Sequence, residues 1–463
     1  MFYEKTGESM RFLKLIKKIL FGSTFRGFVV SYFIAMFVGA FFLQLPISVQ
    51  SGQSLSFIDA VYVSASALST TGLTPIVIKD VLTPIGQIIL LIIIQFGGIG
   101  LIMGVALFWF IIGHKITFRE RDMIMVDQNQ FSKSGVVRFV RNVLIMIFLI
   151  QSIGFILMST YFILTGMFLP QEALFQAFFN TISLFTNAGF DISPIGSSFT
   201  MYRDSYLLLS LSMTLMFLGG MGFWPLAELK MWFDAKRKKE KYKFTIFTKL
   251  LVTLHLIVWL VSAITLYFLE QNHYLANSGF MDSTFIALFM SLTTRNAGFS
   301  TMNVGDFKDS TTLFFMFLMF LGASPNSAGG GVRTVTLYVT LLTIIAFARG
   351  KTAVVYRKRT IKQETVMKSM VMVIMAFLWV STIIFMIMAV EDFTYKEIAF
   401  EVFSAFGTTG LSLGITSELS NISRALIIAT MFVGRVSLLS LLLMFRRKDS
   451  NNVKYPEMDM IVG

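Results

Sequence analysis

Long apolar segments recur along the chain, and polar turns separate them in a regular pattern. In four places a long apolar segment precedes a short one, a polar turn with a glycine, and a second long segment. Crossing the hydrocarbon core of a bilayer takes about 20 apolar residues in a helix, so only the long segments can span. The pattern predicts an all-α polytopic membrane protein with about eight transmembrane helices plus about four re-entrant pore loops. The segments are 25–45, 56–69 and 84–112, then 136–164, 171–184 and 206–233, then 244–269, 281–292 and 313–347, then 366–390, 395–405 and 422–445.

The four polar turns share one form. Each lies between a short helix (P) and the second spanning helix (M2) of its unit, after a first spanning helix (M1), and its glycine is followed by Leu or Phe. The turn glycines are Gly72, Gly189, Gly298 and Gly410. They lie roughly 110 residues apart, which indicates an internal repeat with one structural unit per copy. Four M1–P–M2 repeats could close into a ring around one central pore.

The repeats divide the chain into six consecutive parts. They are a cytoplasmic amphipathic N-terminus (1–24), repeat 1 (25–113), repeat 2 (136–235), repeat 3 (244–349), repeat 4 (364–446) and a cytoplasmic C-terminal tail (447–463). Within the N-terminus, apolar and basic residues of 11–21 fall on opposite helical faces, which suits a helix lying on an anionic leaflet. A plain cytoplasmic extension of the first spanning helix fits the same residues.

Composition excludes a soluble enzyme. The 463 residues are 55% hydrophobic and only 14% charged, whereas soluble domains carry about 25% charged residues. The sequence contains no cysteine, so disulfides, thiol nucleophiles and thiolate metal sites are excluded. A membrane-embedded enzyme would need convergent intramembrane acids, His or Cys, and the predicted spans contain almost none.

The distribution of positive charge predicts the orientation. The net charge is +13, and the basic residues concentrate in the linkers 115–141, 230–249 and 349–368 between repeats. By the positive-inside rule these linkers and both termini are cytoplasmic, and the glycine turns enter the cell (plasma) membrane from outside. The rule accounts for the basic residues without nucleic acid as a partner.

The four turns are predicted to form a cation filter. Glycine permits φ values closed to other residues, so successive carbonyls can point at a common axis and replace the water around a dehydrated cation. The short helices would direct the partial negative charge of their C-termini at the same axis. Glycine turns can also serve helix packing alone, which is the alternative for any single turn. The candidate ion-binding residues are Thr70, Thr71, Gly72, Thr186, Asn187, Ala188, Gly189, Arg295, Asn296, Ala297, Gly298, Thr408, Thr409 and Gly410.

The M2 segment of repeat 3 is predicted to contain an intramembrane loop over 322–331. One proline, three consecutive glycines and short polar residues cannot hold a regular helix. The functional interpretation is a gate beneath the filter, and the alternative is a static kink. The other M2 segments have milder glycine clusters. The candidate gate residues are Gly322, Ala323, Ser324, Pro325, Asn326, Ser327, Ala328, Gly329, Gly330 and Gly331.

Arg435 is the second candidate gate element. It lies inside the last spanning segment with no acid nearby in sequence. An arginine at mid-membrane costs about 2.5–3.5 kcal/mol on insertion scales, so it should face a cavity or a partner. It is predicted to place a positive charge in the pore below the filter. The alternative is a structural arginine paired with backbone carbonyls or with an acid on another helix.

Several of these segments resemble the Trk/Ktr/HKT superfamily of potassium uptake proteins, in particular the bacterial Ktr membrane subunit. Segment 293–301 resembles its third filter, Gly322 to Pro325 with Gly329 and Gly330 resembles its intramembrane loop, and Gly434-Arg435-Val436 resembles its fourth-repeat arginine motif. The ending 454–463 resembles the C-terminus that packs at a homodimer interface in that family. Two positions depart from the family pattern: Asn326 replaces a usual Gly, and Ser437-Leu438 replaces a common Gly-Pro pair.

The resemblance implies a potassium-translocating subunit with channel-like permeation. The cofactor would be the potassium ion itself, bound at the four turn glycines, with no organic cofactor in this chain. The implied partners are a second copy in a homodimer, with one pore per subunit, and a cytoplasmic nucleotide-binding RCK regulatory ring. A carrier for a larger solute, with helices broken at the midplane, is the alternative transporter class.

Overall fold

The computed structural model describes residues 24–112, 117–127, 135–193 and 198–444. The predicted amphipathic N-terminus, except for Thr24, and the predicted C-terminal tail lie outside the described residues. The described chain is almost entirely helical, and its one sheet is a two-residue hairpin, Val355–Tyr356 with Arg359–Thr360. The predicted all-α polytopic class is confirmed.

Each repeat consists of a long helix, a short helix that ends at the polar turn, and a broken final segment. Repeat 1 contains α1 (Thr24–Leu43), α2 (Phe57–Ser69), α3 (Ile78–Val81), α4 (Pro84–Ile99) and α5 (Leu101–Ile112), followed by linker helix α6 (Phe118–Asp127). Repeat 2 contains α7 (Val136–Thr165), α8 (Pro170–Phe185), α9 (Tyr206–Gly220) and α10 (Phe223–Arg237). Repeat 3 contains α11 (Ile246–Glu270), α12 (Phe280–Asn296), α13 (Asp309–Leu321) and α14 (Thr334–Ala348). Repeat 4 contains α15 (Gln363–Met388), α16 (Tyr395–Gly407), α17 (Asn421–Val436) and α18 (Leu438–Met444).

The first helix of every repeat is long and apolar enough to cross a bilayer. These helices are α1, α7, α11 and α15. Large apolar side chains such as Phe41, Ile264 and Phe385 stay exposed on them. A surface of this kind suits contact with lipid, where a helix satisfies its own backbone hydrogen bonds.

The second spanning segment is broken in all four repeats, which corrects the sequence analysis. Continuous helices were expected over 84–112, 206–233 and 422–445, with a severe break only in repeat 3. The structure instead bends by 103° between α4 and α5, by 100° between α9 and α10, and by 89° between α17 and α18. Each bend occurs at a residue with positive φ, at which a helix cannot continue: Gly100 at 96°, Gly222 at 101° and Ser437 at 75°.

The four short helices, hereafter the pore helices (α2, α8, α12 and α16), begin with acidic first turns. Asp59, Glu172, Asp282 and Glu397 occupy those turns, where a negative charge complements the helix dipole. In α16 a complete capping box joins Thr394 and Glu397. The acids near the helix starts therefore stabilise the ends of the pore helices that lie away from the polar turns.

Glycines on the second segments let pore-helix carbonyls approach their backbones. A Cβ built on Gly97 would lie 2.3 Å from the Leu68 carbonyl oxygen. The same construction gives 1.7 Å between Gly219 and Phe185 and 2.1 Å between Gly434 and Phe406. Any larger residue would push the C-terminal end of the pore helix away from its M2 segment. The glycine clusters therefore position the turns that follow the pore helices.

Replacing Ser437 by glycine is expected to stabilise the protein. A serine at φ 75° and ψ 130° is held in a conformation that L-residues rarely adopt, at a cost of about 1–3 kcal/mol. Glycine removes this strain but adds freedom to the unfolded chain, so we expect a net gain of about 1 kcal/mol, measured as a higher Tm in detergent.

The control is Ser440→Gly, which lies inside helix α18, where glycine should destabilise by about 1 kcal/mol. A Ser437→Gly protein that melts at or below the wild-type temperature would show that the bend carries no strain.

Candidate functional site

The four turn glycines meet in one closed ring. All have positive φ, between 70° and 96°. A Cβ built on each would come within 3.0 Å of a carbonyl oxygen in the next repeat: Ala188 for Gly72, Ala297 for Gly189, Thr409 for Gly298 and Thr71 for Gly410. Contacts therefore run from repeat 1 to 2, 3, 4 and back to 1. Both the backbone conformation and the distance to the next repeat require glycine at this position.

The turns of three repeats share one backbone conformation, and the turn of the remaining repeat differs. Thr70, Asn187 and Thr408, each two residues before a turn glycine, adopt the left-handed conformation with φ between 50° and 56°. Repeat 3 differs, because α12 continues to Asn296 and the Ala297 amide donates to the Thr293 carbonyl at 2.8 Å. The four turns therefore have similar positions but different local geometry.

Two pore-helix serines that the sequence analysis missed support the turn glycines directly. The Gly72 amide donates to the Ser66 hydroxyl at 3.0 Å, and the Gly410 amide donates to Ser404 at 3.0 Å. Both serines lie six residues before their glycine, a spacing visible in the sequence. These two buried amides are therefore satisfied by side chains rather than by main-chain carbonyls.

A second feature that the sequence analysis missed follows each turn. The side chain two residues after the glycine accepts the backbone N–H two residues further along, a turn that Asp, Ser and Thr favour. The four pairs are Thr74 with Ile76 (3.2 Å), Asp191 with Ser193 (3.0 Å), Ser300 with Met302 (3.3 Å) and Ser412 with Gly414 (2.9 Å). These four side-chain turns, hereafter the rim, lie on the chain segments that leave the glycine ring.

Nearly every candidate ion-binding residue is buried, and the rest are half-buried. The Arg295 side chain is bonded elsewhere: its guanidinium lies 3.1 Å from His255 Nδ1 and donates to the Gly322 carbonyl at 3.3 Å. A guanidinium has no acceptor and cannot be a cation ligand. Arg295 can therefore contribute to an ion site only through its backbone carbonyl.

The segment 322–331 connects α13 and α14 and packs against turn residues of repeats 1 and 4. The Thr70 hydroxyl donates to the Ala328 carbonyl at 2.6 Å. The Gly330 amide donates to the Thr408 hydroxyl at 2.6 Å. Thr70 and Thr408 both belong to the candidate filter, so the candidate filter and candidate gate are in direct contact.

The same segment also bonds to repeat 2 at the break between α9 and α10. The Phe223 amide donates to the Asn326 carbonyl at 2.6 Å, and the Ser324 amide donates to the Gly220 carbonyl at 3.4 Å. Asn326 has φ 56°, a left-handed conformation that asparagine tolerates better than most residues. This backbone conformation explains why asparagine can replace glycine here.

Arg435 connects the segment to repeat 1. The residue is 8% exposed, and its guanidinium donates to the carbonyls of Ala328 and Gly97. Pairing with backbone carbonyls was the structural alternative for Arg435, and this pairing is present. One of the two carbonyls belongs to Ala328, a candidate gate residue. Ala328 accepts from both Thr70 and Arg435, which makes its carbonyl the meeting point of repeats 1, 3 and 4.

Comparison with known proteins identifies the family. Residues 23–455 match the family model described as TrkH, cation transport protein. The chain belongs to this family. It is 39% identical to Ktr system potassium uptake protein D of Bacillus subtilis (strain 168), over 98% of this chain and 100% of the relative. Ktr system potassium uptake protein B of the same organism is 31% identical, over 94% of this chain and 95% of the relative.

A solved structure shares the fold. The crystal structure of the potassium transporter TrkH from Vibrio parahaemolyticus matches with a TM-score of 0.68 and 18% sequence identity. The match covers 90% of this chain and 83% of that chain. A polytopic repeat architecture and membership of a cation transport family agree with the predicted transporter class.

Substitution of Gly410 by serine is expected to impair cation uptake severely. The new Cβ would lie 2.1 Å from the Thr71 carbonyl oxygen at φ 96°, so the ring must open or Thr71 must turn. We expect at least about a tenfold loss of uptake at matched membrane expression, since a misplaced ligand loses its effect on the ion.

Gly52→Ser provides the control, because Gly52 also has positive φ (86°) but has no atom within 4 Å of the built Cβ. If both variants lose uptake equally, backbone strain rather than the ring contact is responsible.

Proposed function

We propose that this chain is the potassium-translocating membrane subunit of a Ktr-type uptake system, with channel-like permeation. The observation that carries the proposal is the closed contact of the four turn glycines, one from each repeat. A ring of backbone turns supplies carbonyl oxygens to an ion in place of its water shell. The printed names of the two Bacillus relatives support potassium as the ion.

In this proposal potassium is bound by carbonyls of the turns at Gly72, Gly189, Gly298 and Gly410, flanked by the other candidate ion-binding residues. Irregular backbone survives at membrane depth only where it is buried in protein or lines a wet cavity. The buried turns meet that condition. Four closely packed backbones leave space for an ion rather than for a larger solute, which argues against a carrier for larger molecules.

The segment 322–331 and Arg435 act as the gate. Hydrogen bonds to repeats 1, 2 and 4 support a loop seated directly under the turns. Opening the path requires the loop to exchange these bonds for others, which a conformational change elsewhere can favour. A positive charge at Arg435 also repels a cation that leaves the filter toward the cytoplasm.

A regulated assembly completes the proposal. The word "system" in the names of the relatives indicates components besides the membrane subunit. We infer a homodimer with one pore per subunit, located in the plasma membrane with both termini cytoplasmic. A cytoplasmic nucleotide-binding RCK ring would control the gate, and the basic cytoplasmic linkers would face it.

Growth at limiting potassium tests the proposal. Expression of the chain, with its regulatory partner, in a strain that lacks potassium uptake should restore growth at low potassium. An empty vector and the Gly410→Ser variant serve as controls. Failure to restore growth by a protein that is present in the membrane with its partner would contradict the potassium assignment.

Replacement of Arg435 by alanine is expected to raise the maximal potassium uptake rate about threefold or more, with little change in apparent affinity. The change removes a positive charge from the ion path and one of the two donors to the Ala328 carbonyl. Arg435→Lys should fall in between, because lysine keeps the charge but loses the planar fork of donors.

Initial rates of potassium uptake at matched expression measure this effect. Arg424→Ala is the control on the same helix, since Arg424 pairs with Asp59 at 2.7 Å far from the loop. If Arg435→Ala has the wild-type uptake rate and wild-type regulation, Arg435 has only a structural role.

A further inference from the structure

One acidic side chain lies buried behind the filter of repeat 4. Glu401 is on pore helix α16, nine residues before Gly410, and is 1% exposed. Burying an acid this deeply costs free energy unless hydrogen bonds compensate, so its hydrogen-bond partners indicate its role. The Thr416 hydroxyl lies 2.5 Å from Glu401 Oε1.

The hydrogen-bond partner of Glu401 lies just after the rim of repeat 4 and is bonded to it. Thr416 Oγ1 is 3.0 Å from the Ser412 hydroxyl oxygen, which accepts the Gly414 amide at 2.9 Å. Within the described residues, Oε1 of this carboxyl group has a hydrogen-bond partner and Oε2 has none. Glu401 therefore joins α16 to the segment that leaves the glycine ring.

The other pore helices have no acid at the position equivalent to Glu401, so pore helices in general do not require one. The equivalent residues are Val63 in repeat 1 and Asn180 in repeat 2, and repeat 3 has Phe289 and Met290 in this region. Helix α16 also has its acidic cap, Glu397, which is half-buried and lies one turn earlier. The burial and the partners of Glu401 thus point to a role specific to the fourth turn.

The other repeats show which contact is missing in repeat 4. In repeat 2 the Ser183 hydroxyl of the pore helix donates to the Phe190 carbonyl just after the turn glycine, at 2.7 Å. In repeat 3 Thr293 donates to the Phe299 carbonyl, also at 2.7 Å. In repeats 1 and 4 the pore-helix hydroxyls of Ser66 and Ser404 accept the amide of the turn glycine instead. Repeat 1 has no acid at the position of Glu401, so Glu401 supplies repeat 4 with a contact beyond the glycine that repeat 1 does not make through this position.

We propose that Glu401 is a positioning residue that holds the rim of repeat 4 against its pore helix and thereby sets the discrimination between potassium and sodium. The inference rests on the proposed function. Ser404 holds the turn at Gly410, and Glu401 holds the segment from Ser412 to Thr416. Helix α16 therefore bonds to the chain both at the turn glycine and after it. Loss of the second contact lets the fourth turn move inward, where its carbonyls can approach the smaller sodium ion.

The test compares two substitutions at Glu401. Glu401→Ala removes the carboxylate oxygen that accepts from Thr416 and takes the charged acceptor away from that buried hydroxyl. It should reduce the ratio of potassium to sodium uptake about fivefold or more. Glu401→Gln keeps an amide oxygen that can accept from Thr416, so it should retain most of the ratio. A role limited to stability would lower the amount of folded protein without changing the ratio.

A second variant keeps the test decisive if Glu401→Ala fails to fold. Thr416→Val removes the donor at 2.5 Å and leaves the acid in place, and should shift the ratio in the same direction. Glu397→Gln is the matched control, a half-buried acid at the start of the same helix whose loss should alter stability but not the ratio.

Gly410→Ser, measured in the same assay, separates the two proposals. A changed ratio in Gly410→Ser together with a wild-type ratio in folded Glu401→Ala overturns the role of Glu401 alone. A wild-type ratio in all of these variants overturns the filter as well. If Glu401→Ala does not fold, a wild-type ratio in Thr416→Val overturns the inference.

Discussion

The structure depends on the approach of four backbone turns to within van der Waals contact at membrane depth. Polar backbone cannot face lipid, so these turns are surrounded by pore helices and by each other. A Cβ on each turn glycine would come within 3.0 Å of a carbonyl oxygen in the next repeat, so there is room for hydrogen only. The same requirement extends outward, because Gly97, Gly219 and Gly434 bring the second segments against the ends of their pore helices.

The broken second segments follow from this packing. Once a second segment lies against its pore-helix carbonyls, it must turn away beneath the filter, and each turn uses a residue with positive φ. In repeats 1, 2 and 4 one residue suffices, whereas repeat 3 inserts a whole loop. That loop fills the space beneath the ring. Its bonds to Thr70 and Thr408 mean that a displaced loop changes the support of two filter turns.

Much of this arrangement is predictable from sequence, because it depends on patterns that repeat. The turn glycines, the pore helices with their acidic starts and the loop 322–331 all follow from segment length and composition. The three sharp bends were missed because the milder glycine clusters of repeats 1 and 2 have the same signature as packing glycines, and Ser437 carries no signal of a left-handed conformation. The partners of Arg435 lie in repeats 1 and 3, and the partner of Glu401 lies beyond the polar turn of repeat 4. Both depend on side-chain placement in the folded protein, which one sequence does not encode in a readable pattern.

The four repeats are not equivalent, and repeats 3 and 4 supply the arginines that hold the loop 322–331. Repeat 3 supplies both the loop and Arg295, whose guanidinium bonds the Gly322 carbonyl at the start of that loop. Repeat 4 supplies Arg435, which bonds the Ala328 carbonyl near its middle. Two cations thus hold one segment of uncharged backbone in a low-dielectric interior, where such charge-assisted bonds are about twice as strong as neutral ones. In the proposed function Arg435 both holds the loop and repels a cation below the ring. Loop position and the electrostatic barrier would then change together when that contact breaks.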